Sequence, residues 1–176
     1  METLEGFKTF NKNMTNRYGR PFQVGRIYRI NLSPKFGNRG VGFHFCKRLE
    51  DTLRYFPAME EEVAIAKVTS LGERVSSDDE YYGYYDMYST NAIRIDKVLT
   101  REEIIKMYLT EPEHKNIQRV CRFLQGFKLT EEEIVLFRLA YGGYKEVEDA
   151  ISYYQEGKKD TYEKAYQKIK LKEAGK

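Results

Sequence analysis

The residues of this 176-residue chain best suited to metal or nucleophilic chemistry are two histidines, His44 and His114, and two cysteines, Cys46 and Cys121. Their spacing argues against both. The cysteines lie far apart with no CxxC pair and no His-rich neighbour, so neither a zinc site nor a disulfide framework is indicated. The motifs GxSxG, GxxxxGKS and GxGxxG are absent, which removes serine-hydrolase, P-loop and dinucleotide-fold readings. What remains is a run of unusual residue types, Gly42-Phe43-His44-Phe45-Cys46, followed closely by Tyr55. His44, set among alternating aromatics, reads either as a hydrogen-bonded structural histidine or as a site residue. Tyr55 sits next to an apolar stripe and reads as a packing ring or a stacking one.

Two charged regions add candidates. Residues 1–40 hold eight basic side chains, Lys8, Lys12, Arg17, Arg20, Arg26, Arg29, Lys35 and Arg39, against Glu2 and Glu5, an excess that would attract the phosphates of a nucleotide or nucleic acid. These cations are spaced rather than packed into a run, so solvated charges on strands and loops explain them equally well. From Ser76 to Ser89 the chain is acidic and dense in tyrosine; Glu80 there, with Asp78 and Asp79, is either a solvated charge or a working carboxylate. Tyr81, Tyr82, Tyr84, Tyr85 and Tyr88 suit a recognition surface or one pleated, half-buried face.

The elements that must hold these residues follow from periodicity. Alternation of apolar and polar residues over Phe7–Phe10 and Gly25–Ile30 predicts short strands, separated by turns at Pro21, Gly25, Pro34, Gly37 and Gly40. Val41–Cys46 predicts a buried strand. Leu49, Thr52, Leu53 and Phe56 recur at the spacing of one helical face, so that strand feeds a short helix that ends before Pro57. Glu62–Leu71 and Ala92–Val98 predict two further strands. After Leu99 the period becomes helical. Thr100 with Glu103 and Thr130 with Glu133 form capping boxes, Ile117 to Leu124 make a stripe that stops at Gly126, and Tyr162 to Ile169 make another. Four or five short helices are expected, better placed for packing or a partner surface than for a reaction.

The composition, 41% hydrophobic, 14% aromatic and 32% charged, excludes both intrinsic disorder and a membrane-embedded chain. No apolar stretch is long enough to cross a bilayer, and the first residues lack a basic-then-apolar leader, so a reduced, cytoplasmic setting without membrane attachment is expected. The predicted fold class is α+β: residues 1–99 a strand-rich domain, residues 100–176 a helical extension.

The order of these segments resembles the ADP-ribosyltransferase superfamily, in its diphtheria-toxin-like and poly-ADP-ribose polymerase branch. Gly42–Cys46 is similar to that branch's "GIYFA" strand, which precedes a short helix carrying a tyrosine. Glu62–Gly72 resembles its "LLxEVALGE" strand, Asp79-Glu80-Tyr81 its "NEY" strand entrance, and Asn91–Leu99 its "xQVxxKYLL" closing strand. Phe7–Asn11 corresponds to its first strand. Phe7–Phe10 with Gly42–Cys46 also resembles a group of small bacterial and phage proteins written "YKxF" and "GFHFC".

The resemblance implies a split antiparallel sheet and a protein that binds NAD as substrate, with no metal. It places Lys8 at the first-strand position that holds NAD, where the family uses His or Arg; Gly42 and His44 on the second site strand; Tyr55 against the nicotinamide; and Glu80 at the carboxylate position. A carboxylate there stabilises the oxocarbenium character that develops as the glycosidic bond breaks, while rigid aromatic contacts orient the leaving group. Two functions follow. One is an ADP-ribosyltransferase acting on a macromolecular acceptor. The other is an inactive scaffold of that fold that binds a protein, for example a phage-encoded inhibitor of a host system. Nucleic-acid binding through residues 1–40 ranks third.

Overall fold

The computed structural model describes residues 2–36, 40–56, 58–59, 62–77 and 87–157. They form an α+β protein with a seven-stranded antiparallel sheet and five α-helices. The chain divides into two compact units, residues 1–104 and 105–176, with the division inside the helix Arg101–Thr110.

The first unit holds the sheet. Its strands are β1 (Leu4–Asn11), β2 (Ile27–Arg29), β3 (Phe43–Cys46), β4 (Val63–Ser70), β5 (Arg74–Ser76), β6 (Met87–Thr90) and β7 (Ala92–Val98), and helix α1 (Leu49–Tyr55) follows β3. The order across the sheet is β2-β7-β4-β1-β3-β6-β5. β1 and β4 pair along their whole length, from Leu4 opposite Ser70 to Asn11 opposite Val63. On its other side β1 meets β3 at a single register pair, Phe7 opposite Cys46. The two strands therefore diverge beyond that pair, within one continuous sheet.

Side chains alternate across a strand, so each strand serves two faces. One face buries Phe10, Phe43, Phe45, Ala64, Ala66, Val68, Ile93 and Ile95, with Phe22 of the β1–β2 connection lying over them. Phe22 packs 5.1 Å from Phe10 and 4.7 Å from Tyr28, centroid to centroid. Each phenylalanine, valine or isoleucine among them contributes about 1.5 to 3 kcal/mol by leaving water. The other face receives α1, whose Thr52 hydroxyl accepts from Thr9 of β1 at 2.7 Å while donating to the carbonyl of Leu49. Leu49 and Leu53 bury the apolar side of that helix, as their spacing predicts.

Gly42, just before β3, has φ +128°. A Cβ there would lie 2.1 Å from the Ser89 hydroxyl and 3.0 Å from the Thr90 carbonyl, so this position needs glycine both for its backbone and for the close approach of β6.

The second unit begins within α2 (Arg101–Thr110) and continues through a 3-10 turn at Pro112–His114, α3 (Ile117–Gly126), α4 (Glu131–Tyr141), α5 (Lys145–Ala150) and a π-helical turn at Ile151–Gln155. Both capping boxes form: Thr100 with Glu103 in the first unit and Thr130 with Glu133 in the second. Asn116, which the periodicity does not single out, caps α3 through Gln118 and Arg119. The core of this unit is a ladder of rings in which Tyr108 stacks on Phe123 at 3.9 Å and Phe123 lies 5.9 Å from Phe137. Tyr141 donates its hydroxyl to the carbonyl of Tyr108. The stripe Tyr162–Ile169 lies outside the described residues. No described helix is long and apolar enough to cross a membrane.

Candidate functional site

Where β1 and β3 part, a cavity of about 560 Å³ opens, bounded by α1 and by the segment that follows β1. Lys8 and Thr9 line it from β1, His44, Phe45 and Cys46 from β3, Thr52, Tyr55 and Phe56 from α1 and its end, and Asn16, Arg17 and Tyr18 from the connection after β1. A gap between diverging strands explains why residues of both sheet faces reach it: Thr9, His44 and Cys46 belong by alternation to the α1 face, Lys8 and Phe45 to the other.

Lys8 crosses the gap. Its ammonium donates to the main-chain carbonyl of His44 at 2.6 Å and lies 5.6 Å from the Phe10 ring centroid. Some of its side chain remains exposed, yet protein surrounds the ammonium closely. Desolvation lowers its pKa to about 8; the nearby Arg17 guanidinium adds to the lowering and the Cys46 thiol opposes it. The His44 ring stacks on Phe36 at 5.4 Å. Burial, and secondarily the Lys8 charge, push its pKa below the usual histidine value, so it is neutral at physiological pH.

Of the residues singled out from the sequence, Lys8, His44 and Tyr55 converge on this cavity although they belong to three separate elements. Gly42 does not line it; its place is structural, at the close approach of β3 and β6. Glu80, Asp79 and the tyrosines at 81, 82, 84 and 85 lie outside the described residues, whereas Tyr88 is on β6, stacked on Phe45 at 5.6 Å. Sequence reasoning did not single out Arg17 or Phe36, and it placed Phe56 only on the apolar face of a helix. The only signal for Arg17 was the basic excess of residues 1–40, which does not distinguish one cation from another. Its guanidinium lies 5.6 Å from the Phe56 ring centroid.

A second cluster, in the other unit, is a poor metal site. Glu111, Glu113 and His114 offer ligand atoms within 4.8 Å of one another. An arginine side chain can only donate, however, and Arg119 Nη2 lies 3.0 Å from His114 Nδ1. That nitrogen must accept, so Nε2 carries the proton, with carboxylate oxygens of Glu111 and Glu113 lying 3.5 and 3.4 Å from it. The buried histidine is held by its neighbours in the tautomer that blocks coordination at Nε2.

The fold and the site define a class: an α+β protein whose seven-stranded antiparallel sheet frames a cavity lined by cations and aromatic rings. Residues 4–107 match the family described as Domain of unknown function (DUF7666), and the chain belongs to that family. No curated protein and no solved structure matches it. The matched segment covers the whole sheet, and with it the described wall of the cavity.

Proposed function

We propose that this is an ADP-ribosyltransferase-like protein that binds NAD or a related nucleotide in the cavity between β1 and β3 and transfers ADP-ribose to a macromolecule. The observation that carries the reading is the convergence of Lys8, His44 and Tyr55 on one cavity, from a first strand, a second strand and the helix that follows it. The resemblance assigns these elements to the nucleotide in the same order. Tyr55, with Phe56 and the Phe36–His44 pair nearby, offers flat apolar walls to an aromatic ring.

In this reading the bond between ribose C1 and the nicotinamide nitrogen breaks, the nicotinamide leaves with the electron pair, and an acceptor nucleophile closes on C1. Glu80 is the carboxylate that opposes the developing positive charge. Incubation of the full chain with labelled NAD and cell extract tests the proposal. Label transfer lost in Glu80→Gln is the expected result; absence of both transfer and NAD hydrolysis at high protein concentration would end the enzyme reading.

A second reading is favoured by one specific feature, the lysine Lys8 at the first-strand position where the ADP-ribosyltransferase superfamily uses His or Arg. It makes the protein an inactive scaffold of that fold that binds a protein partner, such as a phage-encoded inhibitor directed at a host system. NAD binding without transfer or hydrolysis, together with a stoichiometric protein complex, would establish it.

A further inference from the structure

Two cations face the cavity between β1 and β3, and no carboxylate is among its described lining residues. Lys8 enters from β1 with its ammonium on the His44 carbonyl. Arg17 enters from the connection after β1, resting against the ring of Phe56. The remaining titratable groups lining the described wall are the neutral His44, the Cys46 thiol and the phenols of Tyr18 and Tyr55. Among the described residues, neither Lys8 nor Arg17 is joined to a carboxylate by an ion pair. Elsewhere in the same unit exposed cations do have such partners, as Lys12 has Glu62 and Lys97 has Glu103.

Two like charges at one partly desolvated wall raise each other's cost; the ammonium surrenders its proton more readily than an ordinary lysine chiefly because it is desolvated, with the Arg17 charge adding to the effect. An anion placed between them removes that cost for both. A guanidinium supplies a fork and an ammonium a point charge, a combination suited to the several oxygens of a phosphate or diphosphate. We infer that Arg17 and Lys8 together bind the phosphate end of the ligand, so that the site takes a phosphorylated nucleotide and discriminates against the nucleoside. This deepens the nucleotide reading above, though it does not require a nicotinamide ring.

Calorimetric titration of the full chain with pyrophosphate, ADP and adenosine, for wild type and Arg17→Gln, tests it. Arg17 is exposed, so the variant should fold, and thermal melts check that it does. Expected are binding of pyrophosphate and ADP, adenosine weaker by about tenfold or more, and an ADP affinity that falls about tenfold in Arg17→Gln while adenosine is unaffected. Because a bound anion favours the charged ammonium, ADP binding near pH 8 should also take up protons, read from titrations in two buffers of different ionisation heat. Equal affinity for ADP and adenosine, an ADP affinity indifferent to Arg17, or no heat with any phosphorylated ligand would overturn the inference. Arg17-dependent ADP binding without NAD binding keeps it and removes the nicotinamide reading; NAD binding indifferent to Arg17 does the reverse.

Discussion

The ammonium of Lys8 donates to the main-chain carbonyl of His44 at 2.6 Å, beside the point where β1 and β3 cease to pair. A side chain thus takes an acceptor that strand pairing would otherwise have matched with a backbone amide. The link ties the two strands to each other across the gap and brings a desolvated cation to the cavity wall.

Lys8 should leave a signature in stability. In the folded chain its pKa is lowered to about 8 from the ordinary 10.5. Between those values the unfolded chain holds a proton that the folded chain has released, so this group makes stability rise with pH across that window; below about pH 8 the folded state bears the full cost of the buried charge. The melting temperature of wild type minus that of Lys8→Met should therefore be flat below the window and climb within it. A flat difference throughout would mean that Lys8 titrates as an ordinary lysine.

Tyr55 separates the nucleotide reading from a purely structural one. If its ring stacks on a nicotinamide, Tyr55→Ala should lose about 1 to 3 kcal/mol of NAD affinity, while Tyr55→Phe, which keeps the ring, should retain most of it. Titration with NAD beside thermal melts of each variant decides the matter. Strong destabilisation of Tyr55→Ala with no binding heat in wild type would reduce the residue to packing.

Gly42→Ala should cost about 2 to 4 kcal/mol, since it combines a disfavoured backbone region with a collision. The new Cβ would meet the Ser89 hydroxyl, which donates to the Val41 carbonyl at 2.9 Å. Adding Ser89→Ala should recover the steric part and leave the backbone part. Urea unfolding of the two single variants and the double variant measures both; a double variant no better than the sum of the singles would show that the clash is relieved in some other way.

In the helical unit, buried Gln155 is the residue whose loss should cost most for its size. Its amide donates to the carbonyls of Leu124 and Phe127, at 2.5 and 3.0 Å, and its oxygen accepts from the Leu129 amide at 2.9 Å. Gln155→Leu would leave three main-chain groups without these partners and should destabilise by on the order of 3 kcal/mol. Gln155→Glu should not rescue it, because a carboxylate cannot donate to the two carbonyls. Hydrogen exchange at the Leu129 amide gives the local readout, and unchanged protection in Gln155→Leu would contradict this account.

Much of the fold was legible in the chain itself because its signals are local. The alternation in Ala92–Val98 and the stripe from Leu49 each lie within one element, and the capping boxes at Thr100 and Thr130 and the stop at Gly126 span at most a few residues; all reappear at those positions. The short β5, of three residues, has no run long enough to show a period and emerges only as the partner of β6. The candidate site was legible as residue types, Lys8, His44 and Tyr55, though not as a place. Their convergence depends on where β1 and β3 stop pairing, which joins residues 36 apart in the chain. The same closure decides the lowered pKa of Lys8 and the presence of Arg17 at the cavity, as packing within the helical unit decides the burial of Gln155. Desolvation and unbalanced charge are properties of a neighbourhood, and a neighbourhood exists only once distant segments have packed together.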